Sequence, residues 1–329
     1  MLPSDIQGKI ILFTALNWGL GHASRSIPLI RQLARHRNEV HIASDGLSLT
    51  LLKLELPSFE IHSLPSLHIH YKRDSMALNM LSQLPHLVNH YRKDSKAISA
   101  LQEFIKADII ISDHRYAGLH KSCYNIFLGH QLSILNPDFS YHQLASKTNA
   151  SLINRFDEIW VPDSDRQILS GKLSSSRFIH KPIHFIGPLS RFEKMSVKDK
   201  TYDMLAVLSG PEPKRTTLEN RIINLMMNID FKCAIATGTN RVVERKQTNI
   251  DFFNVQTTSE LQSLFNQSQR FIGRAGYSTI MDLAVLKLPS MLIPTPGQTE
   301  QMYLAKHLDN KQFQFCDEEK LCIESFQSK

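Results

Sequence analysis

The sequence predicts an α/β protein made of two doubly wound, Rossmann-like domains, and three observations carry that prediction. Apolar runs too short for helices, such as Ile10-Ile11-Leu12-Phe13 and Ile109-Ile110-Ile111, alternate with stretches whose apolar residues recur at helical spacing. The alternation breaks at Gly187-Pro188 and restarts at residue 203, which divides it into two halves. Each half contains a small-residue turn between a strand and a helix, at Gly19-Leu20-Gly21 and at residues 273–276. A chain of 329 residues suits two such domains better than one core.

The elements can be taken in chain order. Residues 9–15 form a buried first strand, which runs into the Gly loop and a helix with Ile27, Leu29, Ile30, Leu33 and Ala34 on its apolar face. Strands are expected at 39–44 and 59–64, with a short helix at 48–54 between them. Further strands at 107–112, 125–132 and 158–162 bring the first half to six, and residues 163–173 read as a short helix. Domain boundaries fall at 1–188 and 201–329, with 189–200 as a charged, solvated linker. The second half restarts with a strand at 203–208 and a helix from Thr216, where Thr216 and Glu219 have capping-box spacing. Strands at 231–237 and 252–255 and a helix at 258–265 lead to the strand that ends at Gly273. Ser278 and Thr279 are expected to cap the next helix. A strand at 290–294 and a helix through Tyr303, Leu304, Ala305 and Leu308 complete the pattern.

Composition narrows the function classes. A hydrophobic fraction of 42% with 21% charged residues is that of an ordinary globular protein, and the net charge of +7 favours acidic partners such as nucleotide diphosphates or anionic lipid. Nucleic acid is not expected as a partner, because the basic residues are dispersed and no recognition motif accompanies them. No apolar run approaches a membrane span and the first residues lack signal-peptide regions, so a cytoplasmic protein is expected. Cys123, Cys233, Cys316 and Cys322 are scattered, which suggests reduced thiols and no metal site. His62, His68, His70, His86 and His90 show no metal spacing and read as structural or solvated. Residues 68–96 mix apolar side chains with Lys72, Arg73, Arg92, Lys93 and Lys96. Two readings stand there: an amphipathic helix packed on the sheet, or a face resting on an anionic membrane.

Two loops carry the chemistry. In the second half, residues 273–282 read Gly-Arg-Ala-Gly-Tyr-Ser-Thr-Ile-Met-Asp, a small-residue turn opening a helix. Backbone N–H groups at a helix start, at the positive end of its dipole, form an anion site. Gln298, Glu300 and Gln301 come after the strand at 290–294, so both loops lie beyond strand carboxyl ends, where ligands bind in parallel sheets. N–H donors for phosphate beside acceptors for hydroxyls suit a nucleotide sugar. In the first half, Gly19-Leu20-Gly21 is followed by Ser24 where a dinucleotide fingerprint would have a third Gly, which argues against nicotinamide. Asp113 ends the strand at 107–112, again at a carboxyl end.

Together these motifs resemble the two-domain (GT-B) nucleotide-sugar glycosyltransferases, in particular the MurG-like peptidoglycan N-acetylglucosaminyltransferase group and, more distantly, the UDP-glycosyltransferases. The resemblance implies two Rossmann-like domains with a cleft between them, an amino half that binds acceptor and a carboxy half that binds donor. It puts Arg274, Gly276, Tyr277, Ser278 and Thr279 on the donor loop around the diphosphate, Asp282 on the ribose, and Gln298, Glu300 and Gln301 by the sugar. Asp282 stands where the family usually has Glu. Ser209 and Gly210 resemble the Gly-Gly-Ser loop near the donor phosphates, with Pro211 and Pro213 as departures, and Arg191 is a further diphosphate candidate. Gly19, Gly21 and Arg25 fall on the acceptor loop, His22 on the catalytic base and Asp113 on the residue that orients it.

The activity implied is inverting, metal-independent transfer of a hexose or N-acetylhexosamine from a nucleotide diphosphate sugar, with UDP expected, to an acceptor hydroxyl. The nucleotide sugar is a co-substrate, and no cofactor is expected. A lipid-linked acceptor would bring peripheral contact with the inner face of the cytoplasmic membrane. The same residues also admit a nucleotide-sugar hydrolase or epimerase, or a non-catalytic nucleotide-sugar-binding protein.

Overall fold

The computed structural model describes residues 1–67, 83–135, 139–237, 249–254, 257–309 and 312–322. The chain forms two compact units, Met1–Arg191 and Phe192–Lys329. Of the region at 68–96, residues 68–82, with His68 and His70, lie outside the described residues.

The first unit is a parallel sheet of seven strands: β1 (Ile10–Ala15), β2 (Glu39–Ser44), β3 (Glu60–Ser63), β4 (Ile109–Asp113), β5 (Tyr124–Leu128), β6 (Glu158–Val161) and β7 (Ile183–Phe185). Their spatial order is β3-β2-β1-β4-β5-β6-β7. The chain therefore winds outward from β1 in one direction and from β4 in the other, and connections leaving the carboxyl ends of these two neighbours diverge. The central strands are buried on both faces, which explains why they read as unbroken apolar runs. The helices are α1 (Gly21–Arg35), α2 (Gly46–Glu55), α3 (Leu84–Ile105) and α4 (Phe139–Ile153).

The second unit repeats the plan with β8 (Tyr202–Val207), β9 (Cys233–Ala236), β10 (Ile250–Phe253), β11 (Ser268–Arg274), β12 (Ser290–Ile293) and β13 (Phe313–Phe315), in the order β10-β9-β8-β11-β12-β13. Its helices are α5 (Lys214–Met226), α6 (Thr258–Asn266), α7 (Tyr277–Leu286) and α8 (Thr299–Leu308). The switch in winding falls between β8 and β11, where Val207 pairs with Gly273. A core of Met204, Ala206, Leu218, Ile222, Ile223, Ile235 and Ile272 holds α5 against this sheet.

Several expectations are corrected. Residues 163–173 form turns and a short 3-10 segment (Gly171–Ser174) instead of a helix, because the buried Asp163 carboxylate accepts the N–H groups of Ser164, Leu169 and Ser170. The strand expected at 125–132 stops at Leu128; Gly129 N–H still donates to the Trp160 carbonyl of β6, and the chain turns away after it. Thr216 does not cap α5: the helix starts at Lys214, Thr216 Oγ1 donates to Glu212, and Glu219 receives Arg215 Nη1 instead. Ser278 and Thr279 lie inside α7, whose N-cap is Gly276, and Gly273 belongs to β11 rather than to a turn. Nor is the linker solvated throughout. Phe192 is buried against Phe265, the backbone of Glu193 exchanges hydrogen bonds with Gln262, and Met195 N–H donates to Asn266.

Helix α3 divides between the two readings of its region. Its second half packs on the sheet through Ile98, Leu101 and Ile105, while its first half leaves Leu84, Val88, Arg92 and Lys93 exposed. No helix among the described residues is long and apolar enough to cross a membrane.

Candidate active site

The winding switch of the first unit carries a dense polar cluster. Ala15, the last residue of β1, pairs with Asp113, the last of β4, so Asp113 stands where the two connections part. Helix α1 begins over this point. Its residues His22, Arg25 and Ser26 are three and four positions apart and share one face. All three reach Asp113: His22 Nδ1 lies 2.7 Å from Oδ1, Arg25 Nε donates to Oδ2 at 2.8 Å, and Ser26 Oγ is 3.2 Å from Oδ2. Arg25 Nη2 adds a second bond to Oδ1, completing a bidentate pair.

Asp113 is wholly buried. Burial alone would push its carboxyl up, but Arg25 and His22 together outweigh that and hold it well below the usual carboxylate range. The carboxylate is thus held in its ionised form beside the Arg25 guanidinium. An ionised carboxylate only accepts, so His22 Nδ1 donates to it and Nε2 is the ring nitrogen left for another partner. The His22 side chain keeps 17% of its surface exposed, whereas Arg25 keeps 3%. The Arg25 guanidinium is turned inward onto the carboxylate.

Two further histidines close the cluster. His114 Nδ1 lies 3.2 Å from Arg25 Nη2 and 3.2 Å from the Leu128 carbonyl, and His130 Nδ1 lies 3.3 Å from Arg25 Nη1. Burial drives the His114 imidazole well below its ordinary value, and the Arg25 charge adds to that. The residue adopts φ 53°. Gly129 makes room for its ring, since a methyl group there would collide with His114 Cε1 and Nδ1. His22, Asp113 and His114 also offer ligand atoms within 4.8 Å of one another. Arg25 already sits on both Asp113 oxygens, so a metal ion there would have to displace it.

A second buried arginine fixes the loops around this cluster. Arg115 bonds Asp94 through Nε and Nη2, each at 2.8 Å, and Asp45 through Nη1 at 2.7 Å. It also donates to the Ala15 and Pro65 carbonyls. Burial lowers its affinity for a proton, and the two carboxylates more than reverse that. Asn17 ties the loop after β1 to the start of α2 through Asp45 and the Ser48 N–H. Gly19 adopts φ +77° with open space around it, a conformation that glycine tolerates, while Trp18 and Leu20 beside it are exposed.

The winding switch of the second unit is built differently. Ser209 and Gly210 are exposed directly after β8, and Gly210 has φ +109°. Gly276 caps α7 with a φ of −72° in the extended region, no side chain caps that helix, and a methyl group at Gly276 would meet only Thr279 Oγ1 at 3.9 Å. The helix start therefore faces open space. Ser278 and Thr279 are half-buried in the first turn, and Tyr277 and Asp282 are buried.

Arg274 is not placed with them. It is 2% exposed and donates to Glu318 at 2.6 Å, to the Pro294 carbonyl at 3.1 Å and to the Lys214 carbonyl at 2.9 Å. Gln301 is likewise engaged: its carbonyl accepts the Thr295 N–H at 2.8 Å and its amide donates to Gln298 at 2.5 Å, shaping the loop after β12. Glu300 is half-buried in the first turn of α8, and Arg191 is the last residue of the first unit. Near Gly210 the hydroxyl of Thr295, a residue 1% exposed, is buried without a hydrogen-bond partner among the described residues.

The model of the family described as "Glycosyl transferase family 1" matches residues 9–328, nearly the whole chain. The chain belongs to that family. Solved glycosyltransferases share the fold at low identity. The glycosyltransferase of kitacinnamycin superposes with a TM-score of 0.68 at 13% identity, covering 97% of this chain and 88% of that one. UGT89C1 of Arabidopsis thaliana, complexed with UDP-L-rhamnose, gives 0.65 at 12%, covering 98% and 89%. MurG of Acinetobacter baumannii gives 0.58 at 12%, covering 96% and 88%. The two units are thus the paired Rossmann-like domains of the GT-B glycosyltransferases.

Within this family member, sequence reasoning missed His114, His130 and Thr295. All three lie just past strand carboxyl ends, after β4, β5 and β12, and that position was the available signal. Asp45, directly after β2, carried the same signal, whereas Asp94 lies inside α3 and only folding brings it to Arg115.

Proposed function

We propose that this glycosyltransferase moves a sugar, a hexose or N-acetylhexosamine, from a nucleotide diphosphate donor, with UDP expected, to an acceptor hydroxyl, inverting the anomeric centre without a metal ion. The observation that carries the reading is the 2.7 Å contact between His22 Nδ1 and Asp113 at the winding switch. With Nδ1–H held by the carboxylate, Nε2 removes the hydroxyl proton as the oxygen attacks the anomeric carbon. The bond from that carbon to the donor phosphate breaks, and the diphosphate leaves with the electron pair. Asp113 holds the tautomer and faces the imidazolium that forms, and Arg25 keeps Asp113 ionised and in place.

In the second unit, the start of α7 from Gly276 to Thr279 and the Ser209-Gly210 turn supply backbone donors and open space for the diphosphate. The unpartnered Thr295 hydroxyl is a natural contact for a ligand there. Asp282 and Glu300 are proposed to meet ribose and sugar hydroxyls, with Arg191 a secondary phosphate contact. The exposed Trp18 and Leu20 beside His22, and the apolar-then-basic surface of α3, support an acceptor with an apolar portion presented at an anionic membrane face of the cytoplasm.

The test is to incubate the purified protein with UDP-, GDP- and dTDP-sugars, with and without a membrane-lipid extract, and to measure nucleotide release and sugar incorporation by mass spectrometry. Acceptor-dependent incorporation is the expected result. Release without incorporation would make the protein a hydrolase, and binding without either would make it a sugar-nucleotide binding protein.

A further inference from the structure

A second histidine cluster lies on the outer strands of the first unit, away from the proposed chemistry. In the β2–β3 register His41 pairs with Glu60 and Ala43 with His62, so His41, Glu60 and His62 fall on one face of the sheet. His41 stands three residues before the carboxyl end of β2. The cluster therefore belongs to the body of the sheet and not to the crevice at its carboxyl ends.

Its distances have a definite chemistry. His41 Nδ1 is 3.3 Å from Glu60 Oε2, His62 Nε2 is 3.4 Å from His41 Nδ1, and His62 Nε2 is 3.8 Å from Glu60 Oε1. A tetrahedral zinc ion with bonds of about 2.0–2.1 Å holds neighbouring ligand atoms about 3.3 Å apart. Two of the three separations, both from His41 Nδ1, match that edge, and the third, from His62 to the other Glu60 oxygen, is about half an ångström longer. The other nitrogen of His41, Nε2, lies 2.9 Å from Glu39 Oε1. A carboxylate there takes the Nε2 hydrogen, which leaves the Nδ1 lone pair facing Glu60 and His62, the arrangement by which outer carboxylates orient metal-bound histidines. In that tautomer Nδ1 and the Glu60 carboxylate stand 3.3 Å apart, a spacing that one shared cation would bridge. His41 and His62 are largely covered while Glu60 and Glu39 are solvent-facing, so the site has rigid walls and an open entry.

We propose that His41 Nδ1, His62 Nε2 and a Glu60 oxygen bind one zinc ion, with Glu39 orienting His41 and the fourth position left to solvent. The ion fastens edge strand β3 to β2 and takes no part in sugar transfer. Histidine spacing along the chain could not reveal it, since His41 and His62 are brought together only by the cross-strand register.

The full-length protein is stripped with chelator, incubated with zinc, desalted and assayed by elemental analysis. His62→Ala and Glu60→Gln are treated identically, with circular dichroism to confirm that each variant is folded. Near-equimolar zinc in the wild type, lost in both folded variants, and a wild-type melting temperature that rises on adding zinc, are the expected results. Cobalt(II) in place of zinc should give the intense visible bands of a tetrahedral site with nitrogen and oxygen ligands. Absence of retained zinc in the wild type, or retention undiminished in both variants, would overturn the proposal. A cobalt spectrum dominated by thiolate charge transfer would also overturn it, by placing the metal on cysteine.

Discussion

The two winding switches of this molecule have the same topology and opposite construction. In the first unit the point between β1 and β4 is filled with ionisable side chains, His22, Arg25, Asp113, His114 and His130, held to one another at hydrogen-bond distance. In the second unit the point between β8 and β11 exposes backbone and small residues, Ser209, Gly210 and Gly276, while its arginine is drawn away to Glu318. Proton transfer needs a base of fixed tautomer, which only a packed cluster can supply. A diphosphate needs N–H donors and room, which side chains would obstruct. On the proposed function the same fold would provide an acid–base centre in one unit and an anion cradle in the other, and the difference lies in the residues placed just past the strand ends.

The largest effect that separates the two should come from Arg274. If its pairing with Glu318 is structural, Arg274→Met leaves a buried carboxylate unpaired and lowers unfolding stability by about 3 kcal/mol. Urea denaturation would measure that loss, and Glu318→Gln should destabilise in the same direction while nucleotide affinity in the folded protein is unchanged. Weaker nucleotide binding at undiminished stability would return Arg274 to the phosphate site.

A smaller effect belongs to His114. Burial keeps its imidazole neutral in the folded protein, whereas in the unfolded chain it takes a proton near pH 6.5. Its contribution is therefore complete above about pH 6.5 and is lost as the pH falls below that value, with a slope of order 1 kcal/mol per pH unit. His114→Asn keeps a residue that tolerates the left-handed conformation and removes the titration. Its stability curve below pH 6.5 should be flatter than that of the wild type. Parallel curves would mean that the folded site accepts the proton.

The smallest structural effect is expected at Gly276. With φ −72° and open space, alanine is accommodated there, and stability should change by less than about 0.5 kcal/mol. The added methyl group would nevertheless occupy the approach to the helix start, so nucleotide affinity measured calorimetrically should fall about tenfold. Unaltered affinity would move the diphosphate elsewhere.

Most of the sheet could be read from the chain, because buried parallel strands are written as local apolar runs; residues 39–44 coincide with β2 and residues 158–162 with β6 to one residue. Reading failed where a side chain replaced a helix's own hydrogen bonds, as Asp163 does, or where spacing alone suggested a cap, as at Thr216. The site divides along similar lines. Asp113 could be picked out because it stands at the end of a strand, and His22 because the glycine loop that carries it resembles that of the glycosyltransferases. The orientations of Arg25 and Arg274 could not, because each depends on a carboxylate 88 or 44 residues away. His41 and His62 do not read as a pair for the same reason: register, not spacing, joins them.

The measurement closest to the chemistry compares wild type and His22→Gln in acceptor-dependent sugar transfer, with donor binding measured by calorimetry on the same samples. A catalytic His22 predicts unchanged donor affinity and transfer slowed about 10²–10⁴-fold, the contribution of a positioned general base. Transfer at the wild-type rate by the folded variant would contradict that role.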